Sequence, residues 1–142
     1  MDKSTATKER LDELVAAARD VRERAYAPYS GFRVGASVLT TSGRIFTGCN
    51  VENVSFGLTV CAERAAITSA VANGDSEIAA LAVVTEGPVV FPCGACLQVI
   101  QEFSGTESPV IVSATLGGQI ETRLLSECLP CAFTSFDTEV RA

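Results

Sequence analysis

The eight residues "IAALAVVT", Ile78 to Thr85, contain no charged side chain, and they constrain this chain more than any other stretch. Such a run suits a buried strand, covered on both faces, rather than one that alternates between core and water. A strand of that kind needs a layer of structure on each side, and the flanking segments provide helices. Leu11, Leu14, Val15, Ala18, Val21 and Ala25 follow helical spacing from about Thr7, and "YAPYSG" stops the pattern with Pro28 and Gly31. "CAERAAITSAVANG" is rich in helix formers and ends on Asn73 and Gly74, a C-terminal cap. "PCGACLQVIQEF" predicts another helix, opened by Pro92 and closed by Ser104-Gly105.

Between the helices lie further strands. "FRVGASVLT" sets Phe32, Val34, Ala36 and Val38 on one face, "TSGR" turns, and "IFTGCN" returns as a hairpin partner. "PVIVSATL" and "QIETRLL" pair around Gly117 and Gly118, and a short helical tail follows. The order α-β-β-α-β-α-β-β predicts an α/β fold, a layered sandwich with a mixed sheet. At 142 residues and 47% hydrophobic the chain suffices for one core and is short for two, so a single domain over residues 1–142 is expected.

Charge and residue usage exclude several kinds of function. Eleven basic against seventeen acidic residues leave a net charge of −6, which repels a polyanionic backbone, so no nucleic-acid partner is expected. The start, "MDKSTATKERLDEL", lacks the apolar core of a signal peptide, and no run approaches the roughly 18 to 20 apolar residues that span a bilayer. The expectation is a soluble cytoplasmic protein without a membrane partner. In that setting six cysteines point to thiols, metal ligands or buried apolar side chains rather than to disulfides. Histidine is absent, which removes Ser-His and Cys-His nucleophile pairs and leaves any metal to sulfur and oxygen ligands.

Two cysteine sets compete for a metal. Cys61, Cys93 and Cys96 form a three-thiolate set that leaves a fourth position open, as a catalytic zinc requires. Cys93, Cys96, Cys128 and Cys131 form a closed four-cysteine set whose central gap is longer than the usual structural zinc spacing. Helix geometry favours the first. Cys61 and Cys93 stand at helix starts, where the positive dipole end and free N–H groups stabilise thiolates, and Cys96 lies one turn after Cys93. Without a metal nearby, "CLPC" is two small apolar side chains and Glu63 a solvated helix residue.

Cys61-x-Glu63 followed by Pro92-Cys93-x-x-Cys96 is the pattern of zinc nucleobase deaminases, in which three cysteines can hold the ion. "YAPYSGFRVGA", "GCNVENVSFGLTVCAERAA", "PCGACLQVI" and "LLSECLPCAF", in that order, resemble the small homotetrameric cytidine deaminases from about Tyr26 to Phe136. The resemblance implies a three-layer α/β/α sandwich, one zinc per subunit on Cys61, Cys93 and Cys96, and Glu63 as proton shuttle. It implies hydrolysis of cytidine, and of 2′-deoxycytidine, to the uridine product and ammonia, in pyrimidine salvage. Asn50 and Glu52 match the ribose-binding positions, and Phe32 matches the aromatic residue against the pyrimidine. Ala62 belongs to the same substrate-binding set. Phe133 matches the ring that a neighbouring subunit contributes, and Arg64 matches the residue that hydrogen-bonds the zinc thiolates.

Leu97, Phe56, Cys128 and Cys131 depart from the family's usual residues, and none bears on the implied chemistry. Two other readings fit parts of the pattern. A zinc aminohydrolase for another heterocycle, such as a nucleoside antibiotic, keeps Cys61, Glu63, Cys93 and Cys96 but has no need of Asn50 and Glu52. A non-enzymatic zinc module uses the four-cysteine set and leaves Glu63 unexplained.

Overall fold

The computed structural model describes residues 3–136. After a single 3-10 turn over Lys3–Ala6, helix α1 runs from Lys8 to Arg22; the Thr7 hydroxyl caps it by accepting from the Arg10 amide. The predicted helix continued toward Ala25, but the chain leaves the helix at Arg22 and Ala25 is buried beyond its end. Strands β1 (Gly35–Thr40) and β2 (Ile45–Cys49) make the expected hairpin. Helix α2 (Ala62–Ala72), strand β3 (Ile78–Thr85) and helix α3 (Gly94–Glu102) follow, then β4 (Val110–Thr115), β5 (Ile120–Leu124) and a one-turn α4 (Leu125–Cys128).

The sheet order is β2-β1-β3-β4-β5. Only β3 and β4 pair in parallel, and the connection between them carries α3; every other neighbour is antiparallel. The sheet is therefore mixed. All eight residues of β3 are buried, because the strand lies at the centre of the sheet with helices on both faces. On one face α1 brings Leu14 and Ala18 onto Leu39, Ala80, Ala82, Val84, Val112 and Ala114. On the other, α2 and α3 bring Ala66, Ile67, Leu97 and Ile100 onto Val38, Leu81 and Ile111. Each fully buried Leu, Ile or Val in these layers contributes about 1.5–3 kcal/mol. Strand β1 is also buried on both sides, whereas a hairpin strand with one wet face would alternate.

Two glycines set how closely the helix layers approach the sheet. A Cβ at Gly35 would lie 2.8 Å from the Arg22 Cβ of α1, and one at Gly48 would lie 2.7 Å from the Ala62 carbonyl of α2. Only hydrogen fits at either place. The second contact fixes the height of α2, the helix that starts at the cysteine of the metal motif.

Candidate active site

The starts of α2 and α3 meet on one side of the sheet. Cys61 is the N-cap of α2 and Cys93 the N-cap of α3, both in extended backbone, so each thiol stands beside unpaired first-turn N–H groups. Cys96 follows within α3 and is fully buried. The ligand atoms of Cys61, Cys93 and Cys96 lie within 4.8 Å of one another, and this is the one such metal-binding group among the described residues. The four-cysteine set is not gathered: Cys128 ends α4, and Cys131 is exposed at a turn with φ 57°.

The electrostatics around the thiols are uneven. Cys93 is held below its ordinary thiol range, chiefly by the Cys96 backbone N–H. Cys96 is pushed well above it by burial, with the charges of Glu63 and Cys61 adding to the effect. The Arg64 guanidinium offsets that accumulation of negative charge. It donates to Cys61 Sγ at 3.5 Å and to the Thr59 carbonyl at 3.3 Å, and the Cys61 contact holds its own pKa up. Arg64 Nε is buried without a hydrogen-bond partner, an orphaned donor on a guanidinium that interacts with Cys61 and Cys96. A dication bound by three thiolates leaves a net −1 at that place, which the arginine charge balances. Cluster, helix starts and arginine thus fit a zinc ion, whose bonds to sulfur are about 2.3 Å.

Glu63, in the first turn of α2, is 6% exposed. Burial raises its carboxyl above the ordinary range, against a smaller lowering from its own backbone N–H and from Arg64. A buried carboxyl whose proton affinity is raised above that of a solvated one is suited to take up a proton and release it.

A cleft of about 310 Å³ opens over this cluster. Phe32, Asn50, Glu52, Cys61, Ala62, Glu63 and Cys93 all line it, so sequence-predicted positions from three separate segments are brought together. Asn50 and Glu52 have partners within the chain. Asn50 Nδ2 donates to the Phe32 carbonyl and Oδ1 accepts from the Val34 amide, each at 2.8 Å. Glu52 Oε1 accepts from the Tyr29 and Ser30 amides at 2.9 and 3.1 Å, while Oε2 accepts from the Ser30 hydroxyl. These bonds hold the carboxyl of Glu52 below the ordinary range, the Ser30 hydroxyl having the largest effect. Each side chain fixes the loop that carries Phe32 and retains further hydrogen-bonding capacity toward the cleft.

Phe133 does not line this cleft. It is 61% exposed; its ring meets Phe136 edge-on at 5.3 Å, and its carbonyl accepts from Gln98 Nε2 at 2.8 Å. Sequence reasoning missed Ser30, Val34, Thr59, Val83, Val90 and Phe91, which complete the lining. For Phe91 a signal was present, because it directly precedes Pro92-Cys93.

A three-thiol cluster at two helix starts, with a buried carboxyl beside it and a cleft above, places this α/β/α sandwich in the class of zinc-dependent deaminases. The family model for the cytidine and deoxycytidylate deaminase zinc-binding region matches residues 8–114. A cytidine deaminase of Sporosarcina psychrophila is 46% identical over 134 residues, covering 93% of this chain and 97% of that protein. The crystal structure of a cytidine deaminase from Burkholderia pseudomallei superposes with a TM-score of 0.81 at 46% identity, covering 86% of this chain and 98% of that one. That of cytidine deaminase from Mycobacterium tuberculosis gives a TM-score of 0.74 at 42% identity, covering 87% and 96%. The chain belongs to the cytidine and deoxycytidylate deaminase zinc-binding family.

Proposed function

We propose that this protein is a zinc-dependent hydrolase that deaminates cytidine, and 2′-deoxycytidine, to the corresponding uridine nucleoside and ammonia. The observation that carries the reading is the buried Glu63 beside the Cys61, Cys93 and Cys96 cluster, in the lining of a cleft of about 310 Å³. The cytidine deaminases it resembles span nearly its whole length.

Cys61, Cys93 and Cys96 would hold the zinc, which when bound supplies Lewis-acid activation of water at neutral pH. The chain's own residues handle orientation and protons. Phe32 and Ala62 line the base end of the cleft; Asn50 and Glu52 offer their remaining acceptor and donor positions to the ribose hydroxyls. The Glu63 carboxylate takes a proton from water and delivers it to ring N3, which makes C4 electrophilic. The water oxygen forms a bond to C4, Glu63 takes the second proton from the new C4 hydroxyl and passes it to the exocyclic amine, and the C4–N bond breaks as C4=O forms, releasing ammonia. Water plus cytidine equals uridine plus ammonia, so the balance closes without a redox partner.

The finer readings are part of the same proposal. The chain forms one deaminase domain over residues 1–142, of which 1–2 and 137–142 lie outside the described residues. It assembles as a homotetramer, and Phe133, exposed on its own subunit, completes a neighbour's cleft. It works in the cytoplasm on free nucleosides and not on nucleic acid; among the described residues no helix is long and apolar enough to cross a membrane.

Incubation of the purified protein with cytidine, followed by the fall in cytidine absorbance, tests the reaction. No fall with zinc-loaded protein overturns it. Light scattering on the same sample should give a tetramer, and Phe133→Ala should lower activity; a fully active monomer overturns the shared-site reading.

A further inference from the structure

We propose that Phe91 is a specificity-determining wall of the cleft, held in place by Arg123, and that it limits the size of the group a pyrimidine nucleoside carries at C5. The inference rests on the cytidine reading above. Proton delivery requires Glu63 to face N3 and the exocyclic amine, so the N3 edge of the base lies toward α2. The opposite edge, C5 and C6, then faces walls built by other segments. Phe32 lines the base end from the side of Asn50, to whose Nδ2 its carbonyl is bonded. Phe91 lies at the cluster end, two residues before Cys93, and both line the cleft. C5 is bonded to C4, the reacting carbon, so the wall beside C5 is the one nearest the thiols on the side away from α2. Phe91 meets that description.

The wall is pinned from several directions. The Thr85 hydroxyl donates to the Pro88 carbonyl at 3.3 Å, and the Ser113 hydroxyl donates to the Val90 carbonyl. Phe91 itself packs against the core cluster beneath α2 and α3. The Arg123 guanidinium, from strand β5, stands 5.7 Å from the Phe91 ring centroid, within cation–π range. A ring so held has little freedom to withdraw from a bulkier base. Arg123 acts through Phe91 and is a positioning residue.

The test compares kcat/KM for cytidine, 5-methylcytidine and 5-bromocytidine in the wild-type enzyme and in Phe91→Leu and Phe91→Ala. Wild-type kcat/KM should fall as the C5 group grows. Phe91→Ala should raise the ratio of 5-bromocytidine to cytidine by about tenfold or more, the scale on which apolar pockets discriminate added bulk. Phe91→Leu, which keeps the site apolar and filled, should fall between and stands in if the alanine variant fails to fold. A ratio unchanged in both variants while cytidine is still turned over overturns the wall; a wild-type enzyme inert toward cytidine overturns the reading beneath it. Arg123→Met should raise KM about two- to fivefold, the size of a partly exposed cation–π contact, with kcat and melting temperature unchanged and with rescue by Arg123→Lys. An unaltered KM in Arg123→Met removes the positioning role.

Discussion

Arg64 reaches back one turn of α2 and donates to the sulfur of Cys61 at 3.5 Å, from a guanidinium whose Nε has no partner of its own. The arginine therefore neutralises the thiolate charge and steers the ligand that opens the helix. Arg64→Gln keeps a short donor and loses the charge. Its zinc affinity should fall by about 10- to 100-fold, as for other residues that support metal ligands. Competition with a chromophoric chelator reads this directly, and an unchanged affinity would assign Arg64 to packing alone.

Cys61→Ala, Cys93→Ala and Cys96→Ala should each lose the zinc, whereas Cys128→Ala and Cys131→Ala should retain about one ion per chain. The basis is that the first three thiols converge and the last two do not join them. Metal analysis of the five variants decides the matter. Zinc lost from the Cys128 variant and kept in the Cys61 variant would move the metal to the other cysteine set.

Glu63→Gln preserves shape and removes basicity at the buried carboxyl beside the cluster. Zinc content and assembly should persist while kcat drops by at least about a hundredfold, the lower end of general acid–base catalysis. Near-normal turnover would show that the proton moves by another route.

Glu52 gives a pH dependence with a defined sign. The Ser30 hydroxyl, with the Ser30 and Tyr29 amides, lowers its folded pKa below the reference value of 4.5. Its contribution to stability is therefore present above that value and lost as pH falls through the lower folded value. The melting-temperature gap between wild type and Glu52→Gln should stay constant from neutrality to about pH 5 and close on further acidification. In a Ser30→Ala background the gap should be smaller throughout. A gap that widens on acidification would contradict the assignment.

Much of this site was legible because its chemistry is local in sequence. Cys61 and Glu63 share one helix start, and Pro92-Cys93-x-x-Cys96 opens the next, so helix geometry favoured this thiol set and the family resemblance implied it. The hairpin was less so. Phe32 and Val34 alternate as strand residues do, yet β1 begins at Gly35, because the Asn50 side chain takes up the Phe32 carbonyl and the Val34 amide. That clamp joins residues sixteen and eighteen positions apart, and no period in the sequence announces it. Phe91 was marked in the sequence only by its place before Pro92-Cys93; its contact with Arg123, on the edge strand, is not visible there. The departure at Leu97 resolves more simply, since the side chain is buried among the apolar residues beneath α2 and α3.

The contact at Gly48 bears on the enzyme in another way. Because β2 has no side chain there, α2 rests directly on the strand, and the elevation of Glu63 above the sheet is set by a methyl group that is not present. A residue at position 48 would act as a shim. Gly48→Ala would lift or tilt α2, carrying Cys61 and Glu63 with it while Cys93 and Cys96 stay on α3. Misalignment between two halves of one reaction centre is thus a single carbon atom away, and that atom belongs to a strand with no catalytic group of its own.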